Sequence, residues 1–398
     1  MKIKKIIVSI VTVVTVALGL LVFFSEPWQT VHLPAKPSLP EKVSLLDGEK
    51  LKDEGYVRWI GRTEYSEGQV YCYYTATGFK VKFTGTELKV TFNATNTESD
   101  KNRPYFITSV DNETAPEGKS FSLTENTQTV TVAENLSDGT HTVTVLKRSE
   151  PENSLTSVKK IETDGEFNAP EKHTGLKFQI LGGSGISGHG CLGSAGEEWT
   201  TANSSSLNGF GYLAAKRFGA ETQFVSNSGM GLLWSYRGVE NLSAAYNATG
   251  LIAEYNNNGS TKSVKATGEW NHSNWIPDAV IVNIGGNDWN SHISPLSGTA
   301  RITAETQFKN AVKDLLTRIH NLYPDAKVVW TCNSTRSGSG ALANEAVGEL
   351  EFKNSIRLVA IDETKDGADN HAGAATQIAN AKTVADAITS SFGLEQIV

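Results

Sequence analysis

Four short stretches of the chain hold residue types suited to acyl transfer, and each follows an apolar run. "KFQILGGSG" ends in Gly182, Gly183 and Ser184, and "TQFVSNSGMG" runs into Gly229. "PDAVIVNIGGND" leads to Asn287 and Asp288, and "RLVAIDETKDGADNHAG" to Asp369 and His371. A serine hydroxyl is a poor nucleophile until a base within hydrogen-bond reach takes its proton, and an imidazole does this near neutral pH. Attack on an ester carbonyl then places charge on the carbonyl oxygen, which needs donors fixed in advance. The N–H of Ser184, the N–H of Gly229 and the carboxamide of Asn287 supply three. Glycine suits the second position because a Cβ there would crowd the substrate oxygen. Asp369 is placed to hold His371 in its useful tautomer and to stabilise the imidazolium.

Each piece also has a plainer reading. A serine after two glycines makes an ordinary turn, "SGMG" an ordinary loop, and "GGND" a helix cap through Asn287 or Asp288. A histidine near the end of a chain is commonly a surface residue. The case rests on placement, because in an open α/β sheet the site lies outside the carboxyl ends of the strands, and all four stretches fall there. His189 is a rival base, but five residues from Ser184 on the same loop it is hard to aim back at the hydroxyl. Cys191 reads as a small buried apolar residue. Trp234 and Trp289 follow the second and third stretches closely and suit a sugar platform. The competing reading is a partly buried core indole for each.

The elements that must position these residues fall into two rhythms. Residues 46–172 read as all-β: short alternating runs such as "QVYCYYTATGFKVKFTG", "ELKVTFNAT" and "HTVTVLKRS" are separated by Gly, Asn and Asp. Asp138-Gly139 reads as a hairpin turn between two of them. This suggests a sandwich or jelly roll. Over 173–398 apolar strands alternate with helical stretches, which predicts a mostly parallel sheet covered by helices. "GFGYLAAKRFG" reads as a helix, and Phe308, Val312, Leu315, Ile319 and Leu322 form a helical stripe closed by Pro324. Ile378, Ala381, Ala385 and Ile388 form the stripe of the last helix.

The chain of 398 residues is long enough for two domains, and its net charge of −7 argues against a nucleic-acid partner. Its three cysteines, Cys72, Cys191 and Cys332, lie far apart and give neither a disulfide framework nor a zinc spacing. Residues 1–24 carry Lys2, Lys4 and Lys5 ahead of an uncharged run from Ile6 to Phe24. That run is long enough to cross a bilayer, so a signal anchor is expected, with a cleaved signal peptide as the alternative. Residues 25–45, with Pro27, Pro34, Pro37 and Pro40, read as an extended spacer. Both readings export the rest, to the cell surface or beyond it.

The order Ser, Gly, Asn, His on these loops resembles the SGNH hydrolases. Combined with a β domain bearing "RWIGR", "VKFTGTEL" and "DGTHTVTVLKRSE", it resembles carbohydrate esterase family two, whose members are exported deacetylases. The resemblance implies an SGNH-type, flavodoxin-like parallel sheet with helices on both faces behind a jelly-roll β-sandwich. It implies Ser184 as nucleophile, His371 as base, and Ser184, Gly229 and Asn287 as the oxyanion hole. Asp369 stands where some members complete a triad; others use a backbone carbonyl. Two departures stand out: Gly183 where the family usually has Asp or Asn, and "DNHAG" where it usually has Asp-Trp-His-Pro. The expected activity is a serine esterase acting on acetylated polysaccharide, with no metal or cofactor, membrane attachment through the N-terminal segment, and a monomer. The alternatives are a carbohydrate-binding protein on an impaired esterase scaffold, an esterase of lipid acyl chains, and acetyl transfer between sugars.

Overall fold

Alternation sets the first half of the structure. In Gly78–Thr84, Phe79, Val81 and Phe83 turn inward while Lys80 and Lys82 stay at the surface, the period-two pattern of a strand with one buried face. The computed structural model describes residues 42–397 apart from 112, 114 and 258. The anchor segment 1–24 and spacer residues 25–41 therefore lie outside the described residues. Two six-stranded sheets, antiparallel at every pairing, form the sandwich. One has the order 63–66, 69–72, 156–163, 88–94, 127–133, with 45–47 beside 156–163. The other has the order 166–168, 78–84, 140–147, 105–110, 119–122, with 57–60 beside 78–84. Phe79, Val81, Phe83, Val90, Phe92 and Phe106 are buried in the core between them.

The Asp138-Gly139 turn is not a hairpin. Thr127–Ala133 pairs with Leu88–Ala94 in one sheet, whereas Thr140–Lys147 lies between Gly78–Thr84 and Tyr105–Val110 in the other. Both runs bury a face, and each finds its partner in a different layer, so the connection crosses the sandwich.

The second half is a five-stranded parallel sheet. Its order is Glu221–Ser226, Lys177–Gly182, Ala279–Asn283, Lys327–Cys332, Ile356–Ala360. In chain order this is 2-1-3-4-5, the flavodoxin-like arrangement, with its switch point between the first and third strands. Helix Phe210–Lys216 packs with Ala374–Phe392, and Gly298–Leu322 packs with Gly338–Gly348. Right-handed crossovers that reverse direction at the switch point put one pair on each face.

The last helix turns differently from its predicted stripe. Ala381, Ala385 and Ile388 are buried as expected, but Ile378 is 62% exposed and Gln377 points inward. The Gln377 carboxamide accepts the N–H of Phe210 at 2.8 Å, which satisfies the first turn of the neighbouring helix. A hairpin, Gly250–Tyr255 with Thr261–Thr267, is inserted between the second and third parallel strands. No alternating pattern strong enough to announce it exists there.

The two halves form a single compact unit over Val43–Val398. Polar side chains from the sandwich enter the second half. Arg62, fully buried, reaches Gln223 Oε1 at 3.1 Å and the carbonyls of Tyr246 and Ala248 at 2.9 and 2.7 Å. Arg148 binds the carbonyls of Thr201 and Ala202, both at 2.8 Å. No helix among the described residues is long and apolar enough to cross a membrane.

Candidate active site

The first parallel strand ends in glycines for a steric reason. Gly182 has φ +156°, and a Cβ on it would lie 2.1 Å from the carbonyl oxygen of Asn283 on the adjoining strand. The chain then turns at once into the short helix Ser184–Ser187. Ser184 occupies its first position, where a backbone N–H has no partner within the helix. A Cβ on the extended Gly183 would sit 3.0 Å from the carbonyl oxygen of Met230 and 3.4 Å from Asn287 Nδ2. A side chain at 183 has little room.

Across the switch point, Ser184 Oγ lies 2.9 Å from His371 Nε2. The two residues are 187 positions apart in the chain. His371 Nδ1 lies 2.7 Å from the backbone carbonyl of Asp369. A carbonyl only accepts, so Nδ1 carries the hydrogen and Nε2 presents its lone pair to the serine hydroxyl. Burial lowers the His371 pKa from its ordinary value, and the neighbouring His189 lowers it further, against the opposing pull of Asp369.

The Asp369 carboxylate does not take the third place of a triad. It meets His189 Nε2 at 3.0 Å instead. The cause is backbone conformation: Asp369 and Asn370 both adopt left-handed φ, +51° and +57°. The turn is held by His371 N–H on the carbonyl of Ala368 at 3.1 Å and Gly367 N–H on the carbonyl of His371 at 2.9 Å. It brings the 369 carbonyl to the imidazole and sends the side chain the other way. His189, the rival base, has its ring nitrogens engaged elsewhere. Its two nitrogens meet Asp369 Oδ2 and Ser228 Oγ. Cys191 is a buried free thiol, 3.4 Å from the carbonyl of Ser205, and burial pushes it up to about 12.

Of the expected oxyanion donors, Asn287 Nδ2 donates to the carbonyl of Met230 at 2.9 Å, leaving its second hydrogen free. Gly229 has φ +78°, and its N–H has no acceptor among the described residues. Asp288 does not cap a helix through its side chain. Buried, it accepts the N–H groups of Leu232, Leu233 and Trp234 at 2.7, 2.8 and 2.9 Å, tying the loop after the second strand to the turn after the third. Burial raises its pKa, and the three amides oppose that.

A cleft of about 580 Å³ opens over Ser184, Asn287 and His371. Trp289 lines it, together with Asn290, Asn333, Lys365 and Asn370. Trp234 does not; its ring stacks on His292 with centroids 4.1 Å apart. The loop after the fourth strand, including Asn333 and Ser337, was not among the residues picked out from the sequence, although its place at a strand's carboxyl end is the same signal. His189, Asp369 and His371, and likewise Glu150, Glu152 and His189, bring possible ligand atoms within 4.8 Å of one another. Both nitrogens of each histidine are already hydrogen-bonded, which marks a polar network rather than a metal centre.

Comparison with known proteins bears on this arrangement. Residues 59–170 match the family described as Carbohydrate esterase 2 N-terminal. The chain is 23% identical over 360 residues to the cellulase/esterase CelE of Acetivibrio thermocellus, covering 86% of this chain and 40% of that protein. It is 27% identical over 223 residues to an acetylxylan esterase / glucomannan deacetylase of Cellvibrio japonicus, covering 55% and 57%. The aligned regions thus span about half the length of these relatives. A family two carbohydrate esterase from Clostridium thermocellum, solved in complex with cellohexaose, superposes with a TM-score of 0.71 at 22% identity, over 85% of this chain and all of that one. The chain is similar to carbohydrate esterase family two in the sequence of its first half and in fold across both.

Proposed function

We propose, from that kinship and from the site, that this protein is a serine esterase that removes O-acetyl groups from polysaccharide. The observation that carries the reading is the 2.9 Å approach of Ser184 Oγ to a His371 whose other nitrogen is held by a carbonyl. His371 Nε2 takes the hydroxyl proton as Ser184 Oγ attacks the acetyl carbon. The oxyanion is received by Ser184 N–H, Gly229 N–H and Asn287 Nδ2. His371 then returns the proton to the departing sugar oxygen, leaving an acetyl group on Ser184. Water then attacks the acetyl carbon as it gives a proton to the same nitrogen; the bond from that carbon to Ser184 Oγ breaks, acetate leaves, and His371 returns the proton to Ser184 Oγ.

The polar lining of the cleft, with Trp289 as an apolar face, suits a sugar better than a long acyl chain. The substrate is an acetylated glycan met outside the cell, and export rests on the N-terminal 1–24 segment. The sandwich 46–172 and the catalytic region 173–398 act together as one enzyme. The test is acetate release from acetylated xylan and acetylated glucomannan, with p-nitrophenyl acetate as control. Wild type should release acetate and Ser184→Ala should not. Equal behaviour of the two sinks the reading and favours a binding protein on an esterase scaffold.

A further inference from the structure

A chain of polar groups runs from the sandwich to the catalytic histidine. Glu150 lies in the segment between strands 140–147 and 156–163 of the sandwich and is buried. Its Oε2 accepts the N–H of Ser228 at 2.5 Å, and its Oε1 accepts the Ser228 hydroxyl at 2.8 Å. Ser228 immediately precedes Gly229. Ser228 Oγ lies 2.9 Å from His189 Nδ1, and His189 Nε2 lies 3.0 Å from the carboxylate of Asp369. The carbonyl of that same Asp369 holds His371.

The count of hydrogens in this chain is decisive. With Glu150 as a carboxylate, the single hydroxyl hydrogen of Ser228 goes to it, and the contact to His189 Nδ1 is then made by a ring N–H. The carboxylate of Asp369 accepts, so Nε2 also carries hydrogen. Both nitrogens are donors only in the imidazolium. The ring is buried, stacks on Trp199 with centroids 5.2 Å apart, and lies 4.4 Å from the His371 ring.

We propose that His189 is a positioning residue held as a cation between Glu150 and Asp369, through which the sandwich sets the orientation and proton affinity of the catalytic base. The inference rests on the esterase reading for its kinetic arm only. The titratable groups facing His189 are Glu150 and Glu152 from the sandwich, and Asp369 and His371 from the last loop. Burial alone would lower its pKa, but the bond and charge of Glu150, with Glu152 and Asp369, hold it above its ordinary value. Burial and the neighbouring Glu150 raise the pKa of Glu152. A cation beneath His371 disfavours a second proton there, which keeps the base neutral at lower pH.

The first arm of the test is a pH titration of the wild type selectively labelled with ¹⁵N-histidine. His189, assigned by the resonance that vanishes in His189→Gln, should be doubly protonated at pH 7. Its midpoint should fall in Glu150→Gln. A neutral ring at pH 7 overturns the proposal, whether or not any variant folds. The second arm is acetyl-ester kinetics of His189→Gln. The expected result is a loss of roughly tenfold in kcat, equivalent to one hydrogen bond, with KM little changed and the acid limb of kcat/KM moved to higher pH. A folded His189→Gln with an unmoved acid limb and unchanged kcat also overturns it. A wild type inactive on every acetyl ester defeats the esterase reading instead, and the first arm still decides the state of His189.

Discussion

Replacing Asp369 by asparagine separates two ways of orienting the catalytic base. In a triad the carboxylate holds the imidazole, and its loss to a carboxamide costs about 10⁴ in kcat through the wrong tautomer. Here the holding atom is the 369 carbonyl, 2.7 Å from Nδ1, which any residue possesses. The left-handed backbone at 369 must survive, and asparagine tolerates that conformation as well as aspartate does. What Asp369→Asn removes is a charge on a half-exposed side chain, while the carboxamide oxygen still accepts from His189 Nε2. The free-energy cost is that of weakening one charge-assisted contact, about 1–1.5 kcal/mol after solvent screening. This corresponds to a kcat loss of roughly tenfold. Since the 369 anion raises the His371 pKa, its removal should also shift the acid limb of kcat/KM to lower pH. The assay is the pH dependence of p-nitrophenyl acetate hydrolysis by folded wild type, Asp369→Asn and Asp369→Ala. A loss of about a thousandfold or more in Asp369→Asn, with an unchanged melting temperature, would refute the carbonyl argument and restore the triad.

Further outcomes follow from the same geometry. Asn287→Ala should lower kcat on acetyl esters by about 10²-fold with little change in KM, because it removes a donor to the transition state; steady-state kinetics read this directly. Trp289→Ala should raise KM for acetylated polysaccharide but not for p-nitrophenyl acetate, whereas Trp234→Ala, away from the cleft, should alter neither. Because burial and His189 depress His371, the wild-type kcat/KM profile should hold its plateau below the pH at which free imidazole becomes half protonated. An acid limb at or above that pH contradicts it.

The parts of the site legible in the sequence are those set by side-chain type at a strand's carboxyl end. Ser184, Asn287 and His371 meet because the parallel sheet has one such edge, and the runs that build it are plainly apolar. The resemblance left open whether the Asp369 carboxylate or a backbone carbonyl orients His371, and the sequence could not decide, because the choice depends on two successive left-handed residues and not on side-chain chemistry. Asp369 reads as a triad member because it stands two residues before His371. Asp138-Gly139 misled for a related reason: a good turn dipeptide gives the local bend but not the sheet into which the next strand is laid. Ile378 fitted a helical period, yet the inward position went to Gln377, whose carboxamide satisfies a helix end that no spacing rule sees. Trp234 and Trp289 had equal claims in the sequence. In the structure Trp289 lines the cleft, whereas Trp234 is stacked on His292 away from it.

The loop that carries Gly229, the proposed oxyanion donor, shows how its N–H stays without an acceptor among the described residues. An N–H group left free in a protein tends to draw a carbonyl or water to itself, because an unmet donor costs about 1–3 kcal/mol when buried. On one side of Gly229, Glu150 from the sandwich takes both the N–H and the hydroxyl of Ser228. On the other side, Asp288 from the third strand's turn takes three consecutive N–H groups, those of Leu232 to Trp234. Two buried carboxylates thereby fix the loop through its neighbours, and neither reaches the glycine itself. Burying two acids is costly unless each is met by several donors, and each is met here by groups of the same loop. The same bonds therefore offset the cost of the acids and hold the donor ready before substrate arrives, which is what oxyanion stabilisation requires. One of the two acids belongs to the sandwich, so a catalytic half expressed without residues 46–172 would lose the clamp on Ser228 as well as one of the carboxylates that face His189.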